Sequence, residues 1–156
     1  MKKIKQKRKD YPPGAFVPFV SYFPELFERE TRKVVLLQEM YGLPAGLYFL
    51  FESYCVDKDC DCRKVMINVL PEGDIPSFSD TIGFGWENEK FYSKWVGDGV
   101  SGSQMAGAYL EPGRINTDCG EKYLELVKNS LRDPHYVNLI RKYYESFKNM
   151  LKEDQR

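Results

Sequence analysis

Three of the four cysteines in this chain lie within eight residues, at Cys55, Cys60 and Cys62. Thiols this close together form a metal site, a disulfide or a local redox pair. The spacing from Cys55 to Cys60 is one that tetrahedral zinc sites use. Cys60 and Cys62 are separated by one residue, which places their thiols on the same side of an extended backbone. Three thiolates can therefore converge on one ion without long-range contacts.

The all-sulfur character of this set indicates which metal it would bind. Soft thiolate ligands select zinc, copper(I) or iron–sulfur clusters over magnesium or calcium. The short pattern lacks the spacing of the known cluster motifs. We therefore predict Zn²⁺ as the cofactor, with reduced structural thiols and a disulfide as the alternatives.

A closed structural zinc site has four ligands, and Cys119 is the predicted fourth. It lies just inside a predicted capping box, formed by Asp118 and Glu121, at the start of a helix. A helix amino terminus lowers the pKa of a thiol, which favours the ligating thiolate. A buried structural cysteine or a reactive nucleophile is the alternative for Cys119. Other groups that could complete the shell are Asp57, Asp59, Asp61, His135 and water.

The residues around the cysteines form a longer pattern, Glu52-Ser53-Tyr54-Cys55-x-Asp57-x-x-Cys60-Asp61-Cys62-Arg63-x-Val65. This pattern resembles a family of uncharacterised prokaryotic proteins, from this hairpin through the carboxy-terminal helices. The resemblance implies a shared fold and a shared cysteine site, and it implies no activity. The family has a Pro-Gln-Ser-like segment where this chain has Asp118-Cys119. The resemblance therefore supports the three hairpin cysteines as ligands more strongly than Cys119.

The elements that position these cysteines are strands. The hairpin cysteines lie between a segment that is apolar on both faces, 47–55, and an alternating segment, 63–70. Further strands are predicted at 31–38, 81–87 and 91–96. Asp118 and Asp133-Pro134 each begin a helix, and the second carries an apolar stripe. The sequence thus predicts an α+β fold, an antiparallel β-meander of four to five strands with two C-terminal helices packed on the sheet.

The chain is predicted to be a single domain over residues 1–156, a length that can bury a core without cross-links. Residues 1–10 form a basic, disordered tail, and 11–96 hold a Pro- and aromatic-rich lead-in followed by the meander. Residues 97–113 are predicted to be a mobile loop, and 114–156 are the helical part. A GxGxxG pattern at 97–102 belongs to this loop, because a nucleotide fold would need a βαβ unit before it.

Charge and hydropathy exclude several classes of function. The net charge is zero, but residues 1–10 carry +5 and the remainder carries −5. Nucleic-acid binding is therefore unexpected except through residues 1–10. No apolar run is long enough to cross a bilayer. The basic start resembles the charged region of a signal peptide, but the apolar region that should follow it is missing. We predict a cytoplasmic protein without a membrane partner, in a compartment where thiols stay reduced.

Groups for acid–base catalysis are few, since the chain has a single histidine. We predict a zinc-stabilised binding or interaction module that recognises an unidentified protein partner and does not catalyse a reaction. The first alternative is an enzyme, either a thiol-based redox enzyme or an open-site zinc enzyme. The second alternative is a nucleic-acid binder that uses the basic tail.

Overall fold

The described part of the chain contains one antiparallel sheet of six strands and five α-helices. The computed structural model describes residues 11–12, 14–74, 80–96, 102–112 and 114–153, so the predicted basic tail lies outside it. The strands are β1 (Phe16–Pro18), β2 (Arg32–Leu36), β3 (Gly46–Cys55), β4 (Lys64–Pro71), β5 (Ile82–Gly85) and β6 (Gly107–Leu110). The helices are α1 (Phe19–Tyr22), α2 (Phe27–Glu30), α3 (Glu89–Val96), α4 (Gly120–Ser130) and α5 (Pro134–Glu153), with 3₁₀ turns at Pro24–Leu26 and Gly102–Gln104. The predicted α+β class is confirmed.

Strand β3 is an interior strand with partners along both of its edges, as its apolar residues on both faces predict. β4 pairs with it along one edge, from Tyr48 opposite Pro71 to Ser53 opposite Met66. Two strands share the other edge: β2 pairs with the first half of β3, and β1 pairs with residues 53–55. β4, β5 and β6 follow as successive neighbours. β1 therefore holds the end of β3 at Cys55, where the candidate site begins.

Helices α4 and α5 cover one face of the sheet, with α4 beside β5 and β6 and α5 beside β3. Most of the predicted apolar stripe of α5 is buried there, namely Ile140, Tyr144, Phe147 and Leu151. The rings of Tyr54 and Phe147 lie 5.9 Å apart, and the Tyr54 hydroxyl donates to the Ile140 carbonyl at 2.9 Å. Each such apolar side chain stabilises the fold by about 1.5–3 kcal/mol. None of the described helices is both long and apolar enough to span a membrane.

The opposite face of the sheet carries a buried ion pair. Lys64 on β4 donates to the Glu111 carboxylate at 3.2 Å and to the Tyr109 hydroxyl at 2.7 Å. Gly83 on β5 makes this arrangement possible, because a Cβ atom there would overlap both the Tyr109 ring and the Glu111 carboxylate. A bulkier residue at this position would have to displace one partner of the ion pair.

The predicted strand at 91–96 is wrong, because these residues belong to helix α3. The Asn88 side chain accepts a hydrogen bond from the Phe91 backbone N–H at 2.9 Å, as an N-cap residue does. Glu89 adds an acidic residue to the first turn, which complements the helix dipole. The polar run before Phe91 is therefore a helix start and not the hairpin turn that the sequence predicts.

The predicted loop at 97–113 is wrong for residues 107–110, which form β6 and pair with β5 from Leu110 opposite Ile82 to Gly107 opposite Gly85. Gly107 begins the strand with a φ of 76°, a conformation that glycine adopts without strain. Residues 97–101 and 113 lie outside the described residues, and with them most of the GxGxxG pattern.

Candidate metal centre

The three hairpin cysteines come together at the tip between β3 and β4. Cys55 is the last residue of β3, and Cys62 lies two residues before β4 begins. The three Sγ atoms all lie within 4.8 Å of one another. Cys55 and Cys62 are buried, at 2% and 1% exposure, whereas Cys60 is half-buried. The convergence that the spacing predicts is therefore present.

Local hydrogen bonds fold the tip into this shape. The Asp57 side chain accepts a hydrogen bond from the Asp59 N–H at 3.1 Å, which forms an Asx turn. The Asp57 carbonyl accepts another from the Cys60 N–H at 3.2 Å. Arg63 has a φ of 47°, in the left-handed region that residues other than glycine seldom adopt. The chain turns there from Cys62 into β4.

Helix α5 holds the tip through two side chains, Tyr144 and Lys148, which we call the α5 clamp. The Lys148 ammonium donates to the Cys55 carbonyl at 3.1 Å and to the Asp57 carbonyl at 2.5 Å. The Tyr144 hydroxyl donates to the Cys60 carbonyl at 3.3 Å and accepts from the Arg63 N–H at 3.3 Å. The two side chains are four residues apart and so lie on one face of the helix. The clamp thus fixes the backbone of both flanks of the tip.

The surroundings of the sulfur atoms favour one thiolate before any metal binds. The Cys62 thiol donates to Cys55 Sγ, and the Asp57 N–H and the Lys148 charge act in the same direction, so the pKa of Cys55 falls to about 6. Burial and the Cys55 charge raise the pKa of Cys60. The hydrogen bond to Cys55 and burial raise the pKa of Cys62, whose Sγ also accepts from the Lys64 N–H. Backbone N–H donors therefore already face two of the sulfur atoms, as in the outer shell of metal–thiolate sites.

The sulfur spacing is closer to a metal site than to a disulfide. Zinc–sulfur bonds of about 2.3 Å place tetrahedral sulfur ligands about 3.8 Å apart. The upper limit of 4.8 Å exceeds this spacing by only about 1 Å. A disulfide would require two sulfur atoms to approach to about 2.05 Å, and all four cysteines are free thiols. The arrangement can hold one ion after a small closure of the tip.

The fourth cysteine lies elsewhere, so the prediction of Cys119 as a ligand is corrected. Cys119 is near Tyr48. Burial raises the pKa of Tyr48, and the charge of Cys119 raises it further. Tyr48 and Cys55 are at opposite ends of β3, which separates them by about 23 Å at about 3.3 Å per residue. The start of α4 is fixed at that far end because Asp80 accepts hydrogen bonds from the Thr117 N–H and hydroxyl. Cys119 itself is the N-cap residue, without a side-chain cap, so the predicted capping box is also absent.

The other predicted fourth ligands do not join the cluster among the described residues. Asp57 forms the Asx turn, and Asp61 binds the Arg63 guanidinium through both oxygens, at 3.0 and 2.9 Å. His135 lies in the first turn of α5, while Lys148 contacts Cys55 from the same helix. At 1.5 Å per residue, His135 is therefore about 20 Å from the tip along the helix axis. Three sulfur atoms are the side-chain ligands that the structure brings together.

No protein-family model, curated protein or solved structure matches this chain. The resemblance to a prokaryotic family therefore stays a prediction. The functional argument must come from the chemistry of the hairpin tip itself.

Of the three clustered cysteines, Cys60 is the one that is not fully buried. Cys60 lines a surface depression of about 480 Å³ that also contacts α5. Three lysines line it, Lys58, Lys148 and Lys152, together with Asp59, Asp61 and Glu145. Cys60 is thus the cysteine of the cluster that borders this depression.

Sequence reasoning missed the α5 clamp. The sequence pattern predicts Tyr144 only as a member of the apolar stripe of α5. Lys148 follows Tyr144 by four residues and is buried, at 6% exposure. A lysine on the buried face of an amphipathic helix is a signal, because a buried charge needs a specific partner. The signal does not say which partner, since the hairpin lies more than 80 residues earlier.

Proposed function

We propose that this protein is a zinc-binding domain in which Cys55, Cys60 and Cys62 hold the ion and fix the hairpin tip to α5. The observation that carries the proposal is the mutual approach of the three Sγ atoms to within 4.8 Å. Sulfur ligands favour zinc, copper(I) or iron–sulfur clusters. The spacing between the cysteines of this short pattern is one that zinc sites use. The α5 clamp supports a structural role, because it holds the backbone around the ion by contacts from a separate element.

Such a domain would act as a binding or interaction module and not as a catalyst. The side chains that contact the tip from α5 are Tyr144 and Lys148, and both are engaged in backbone hydrogen bonds. The histidine of the chain is far from the tip. The groups around the cluster therefore favour holding an ion over transferring protons.

One observation favours a second candidate, an open-site zinc enzyme. Catalytic zinc sites have three protein ligands and leave the fourth position to water or substrate. Three cysteines beside a depression match that count. A four-sulfur spectrum of the cobalt(II)-loaded protein in the absence of added ligands would decide for the structural role, whereas three sulfur ligands and one oxygen ligand would match an open site.

The proposal is tested by metal content and stability. Protein purified without added metal is loaded with Zn²⁺, and the bound metal is measured by elemental analysis. We expect one zinc per chain, and zinc at 100 times its dissociation constant should add about 2.7 kcal/mol to the free energy of unfolding. The variant C60S should lose the stoichiometric zinc, because it removes a ligand at the half-buried position.

The matched control is C119S, which changes the fourth cysteine without touching the cluster. It should bind zinc as the wild type does. Metal-free protein that is equally stable with and without excess zinc would refute the proposal, as would equal loss of zinc in C60S and C119S.

A further inference from the structure

A zinc ion on Cys55, Cys60 and Cys62 would have one coordination position left, and the structure restricts where it points. Cys55 and Cys62 are buried at 2% and 1% exposure, so protein surrounds their sides of the cluster. Cys60 is half-buried and lines the depression against α5. A fourth ligand that comes from outside must therefore enter through this depression.

The chain itself has no soft ligand to place there. All four cysteines and the histidine lie among the described residues, so their positions are known. Cys119 is at the far end of β3, and His135 is at the far end of α5. Asp59 and Asp61 flank Cys60 in sequence. Asp61 is already bound by both of its oxygens to Arg63, and Asp59 does not belong to the group of ligand atoms that approach one another. The fourth ligand of a closed shell must come from another molecule.

The lining of the depression carries charges of both signs. Zinc with three thiolates carries one net negative charge, and Lys148 lies beside it with its ammonium on the Cys55 carbonyl. Lys58 and Lys152 add two more ammonium groups to the lining. The guanidinium of Arg63 offsets Asp61, one of the three acids there. Asp59 and Glu145 remain beside the three lysines, so the lining and a zinc–thiolate centre together are close to neutral, and the exposed Lys152 offers an ammonium to a carboxylate on the ligand.

We infer that the fourth position is filled by an exogenous thiolate from a small thiol that carries a carboxylate. The inference rests on the proposed zinc site. A sulfur ligand is favoured because the other three are soft and four-sulfur shells are common among structural zinc sites. In the exchange the incoming S–H loses its proton to solvent, a metal–sulfur bond forms and any bound water leaves. No oxidation or reduction takes place.

Cobalt(II) substitution tests the inference, because its thiolate charge-transfer absorption grows with each cobalt–sulfur bond. The metal-loaded protein is titrated with glutathione and, separately, with the uncharged 2-mercaptoethanol. For a small-molecule ligand we expect a saturable rise in absorption of about one third, as three sulfur ligands become four. A four-sulfur spectrum that is present without added thiol, in a metal-dependent dimer that C119S abolishes, would overturn the small thiol as the ligand.

The variant K152E locates the binding path, and K142E is its matched control on an exposed position of the same helix outside the depression. K152E should weaken the binding of glutathione more than that of 2-mercaptoethanol, while K142E should change neither. If K152E weakens the binding of both thiols equally, or changes neither, the thiol does not bind through the depression.

Two negative results have different meanings. If cobalt binds one per chain but added thiol changes nothing and no dimer forms, the exogenous thiolate is refuted while the metal site stands. If no cobalt–thiolate absorption develops at all, the proposed zinc site itself fails, and the inference fails with it.

Discussion

Two lysines are buried to the same extent in this protein, at 6% exposure each, and they differ in what neutralises them. Lys64 forms an ion pair with Glu111 at 3.2 Å and donates to the Tyr109 hydroxyl. Lys148 donates to two backbone carbonyls of the hairpin tip, and no carboxylate of the described residues lies within ion-pair distance of its ammonium. Lys148 also acts on the sulfur cluster, where its charge lowers the pKa of Cys55 and opposes the rise in the pKa of Cys60.

This difference separates a structural charge from one that serves the candidate site. A buried ammonium is costly unless an opposite charge or a full set of hydrogen bonds compensates for it. Glu111 compensates Lys64 within the sheet, whatever the state of the cysteines. Lys148 gains its compensation from thiolates, and a metal–thiolate centre would supply it permanently. Substitution of Lys64 should therefore change the free energy of unfolding, whereas substitution of Lys148 should change the affinity for metal.

The largest effect is expected from Lys64→Met, which leaves the Glu111 carboxylate buried without its partner. Breaking a buried pair in this way should lower the free energy of unfolding by about 3–5 kcal/mol. Urea denaturation measures this loss, and zinc affinity should be unchanged. The double variant K64M/E111L, which removes both charges, should recover most of the stability. A large loss of zinc affinity in K64M would remove the distinction between the two lysines.

Glu52 on β3 is a further buried charged group. A hydrogen bond holds its carboxyl, where an ion pair holds that of Glu111. Burial raises the pKa of Glu52 from 4.5 to about 7, against the opposing effect of the Tyr136 hydroxyl, which donates to it at 2.8 Å. The carboxyl is protonated in both states below about pH 4.5 and ionised in both above about pH 7. The folded state therefore loses about 3 kcal/mol of stability as the pH rises through this window.

The variant Glu52→Gln should abolish this loss. The difference in unfolding free energy between E52Q and the wild type, from urea denaturation at pH 4.5 and pH 8, should move by about 3 kcal/mol in favour of the variant at the higher pH. Parallel pH profiles for the two proteins would show that Glu52 has an ordinary pKa.

Lys148→Met is expected to act on the metal. It removes the charge beside the sulfur cluster and leaves the carbonyls of Cys55 and Asp57 without their donor. Loss of an outer-shell partner typically weakens metal binding 10–100-fold, and competition with a chelator should show a decrease of about that size for zinc. The control is K142M, an exposed lysine on the same helix, which should keep the wild-type affinity. Unchanged affinity in K148M would show that the cluster does not need the clamp.

The smallest effect is expected from Tyr144→Phe, which removes the hydrogen bonds to the Cys60 carbonyl and from the Arg63 N–H. The free energy of unfolding should fall by about 1 kcal/mol in thermal or urea denaturation. The neighbouring variant Y143F is a close control, because the Tyr143 hydroxyl is buried and has no hydrogen-bond partner among the described residues. Y143F should be neutral or slightly stabilising. Equal losses in both variants would indicate that ring packing, and not the clamp, determines the result.

The sequence predicts those parts of the fold that depend on local patterns. The apolar stripe of α5 and the two-faced apolar run of β3 repeat over short distances, so the α+β class could be inferred without long-range information. The helix at 89–96 was missed because a polar run before an apolar one is typical of both a hairpin turn and a helix cap. The sequence does not predict the strand at 107–110, because its four residues have no distinctive periodicity and the strand that they pair with is rich in glycine.

The candidate site likewise has one part that the local sequence predicts and another part that it does not predict. The approach of Cys55, Cys60 and Cys62 follows from their spacing in one loop, and it was predicted. The positions of Cys119 and Lys148 depend on which end of each helix lies over which end of β3. Nothing local in the sequence determines that choice, because both helices join the sheet through the packing of apolar side chains that are similar along their length. A single sequence therefore indicated the ligands and missed the clamp.

The clamp also bears on the order of events during folding. Its hydrogen bonds join residues 81 to 93 positions apart, whereas the three cysteines lie within one hairpin. Contacts with long sequence separation form late, because the intervening chain must first be ordered. An ion can thus be captured by the hairpin while α5 is still undocked, and capture at that stage would stabilise the folded state less, since the unfolded chain binds it too. In the proposed metal site, docking of α5 would slow the exchange of such an ion, and the rate of metal exchange would then report how often α5 undocks.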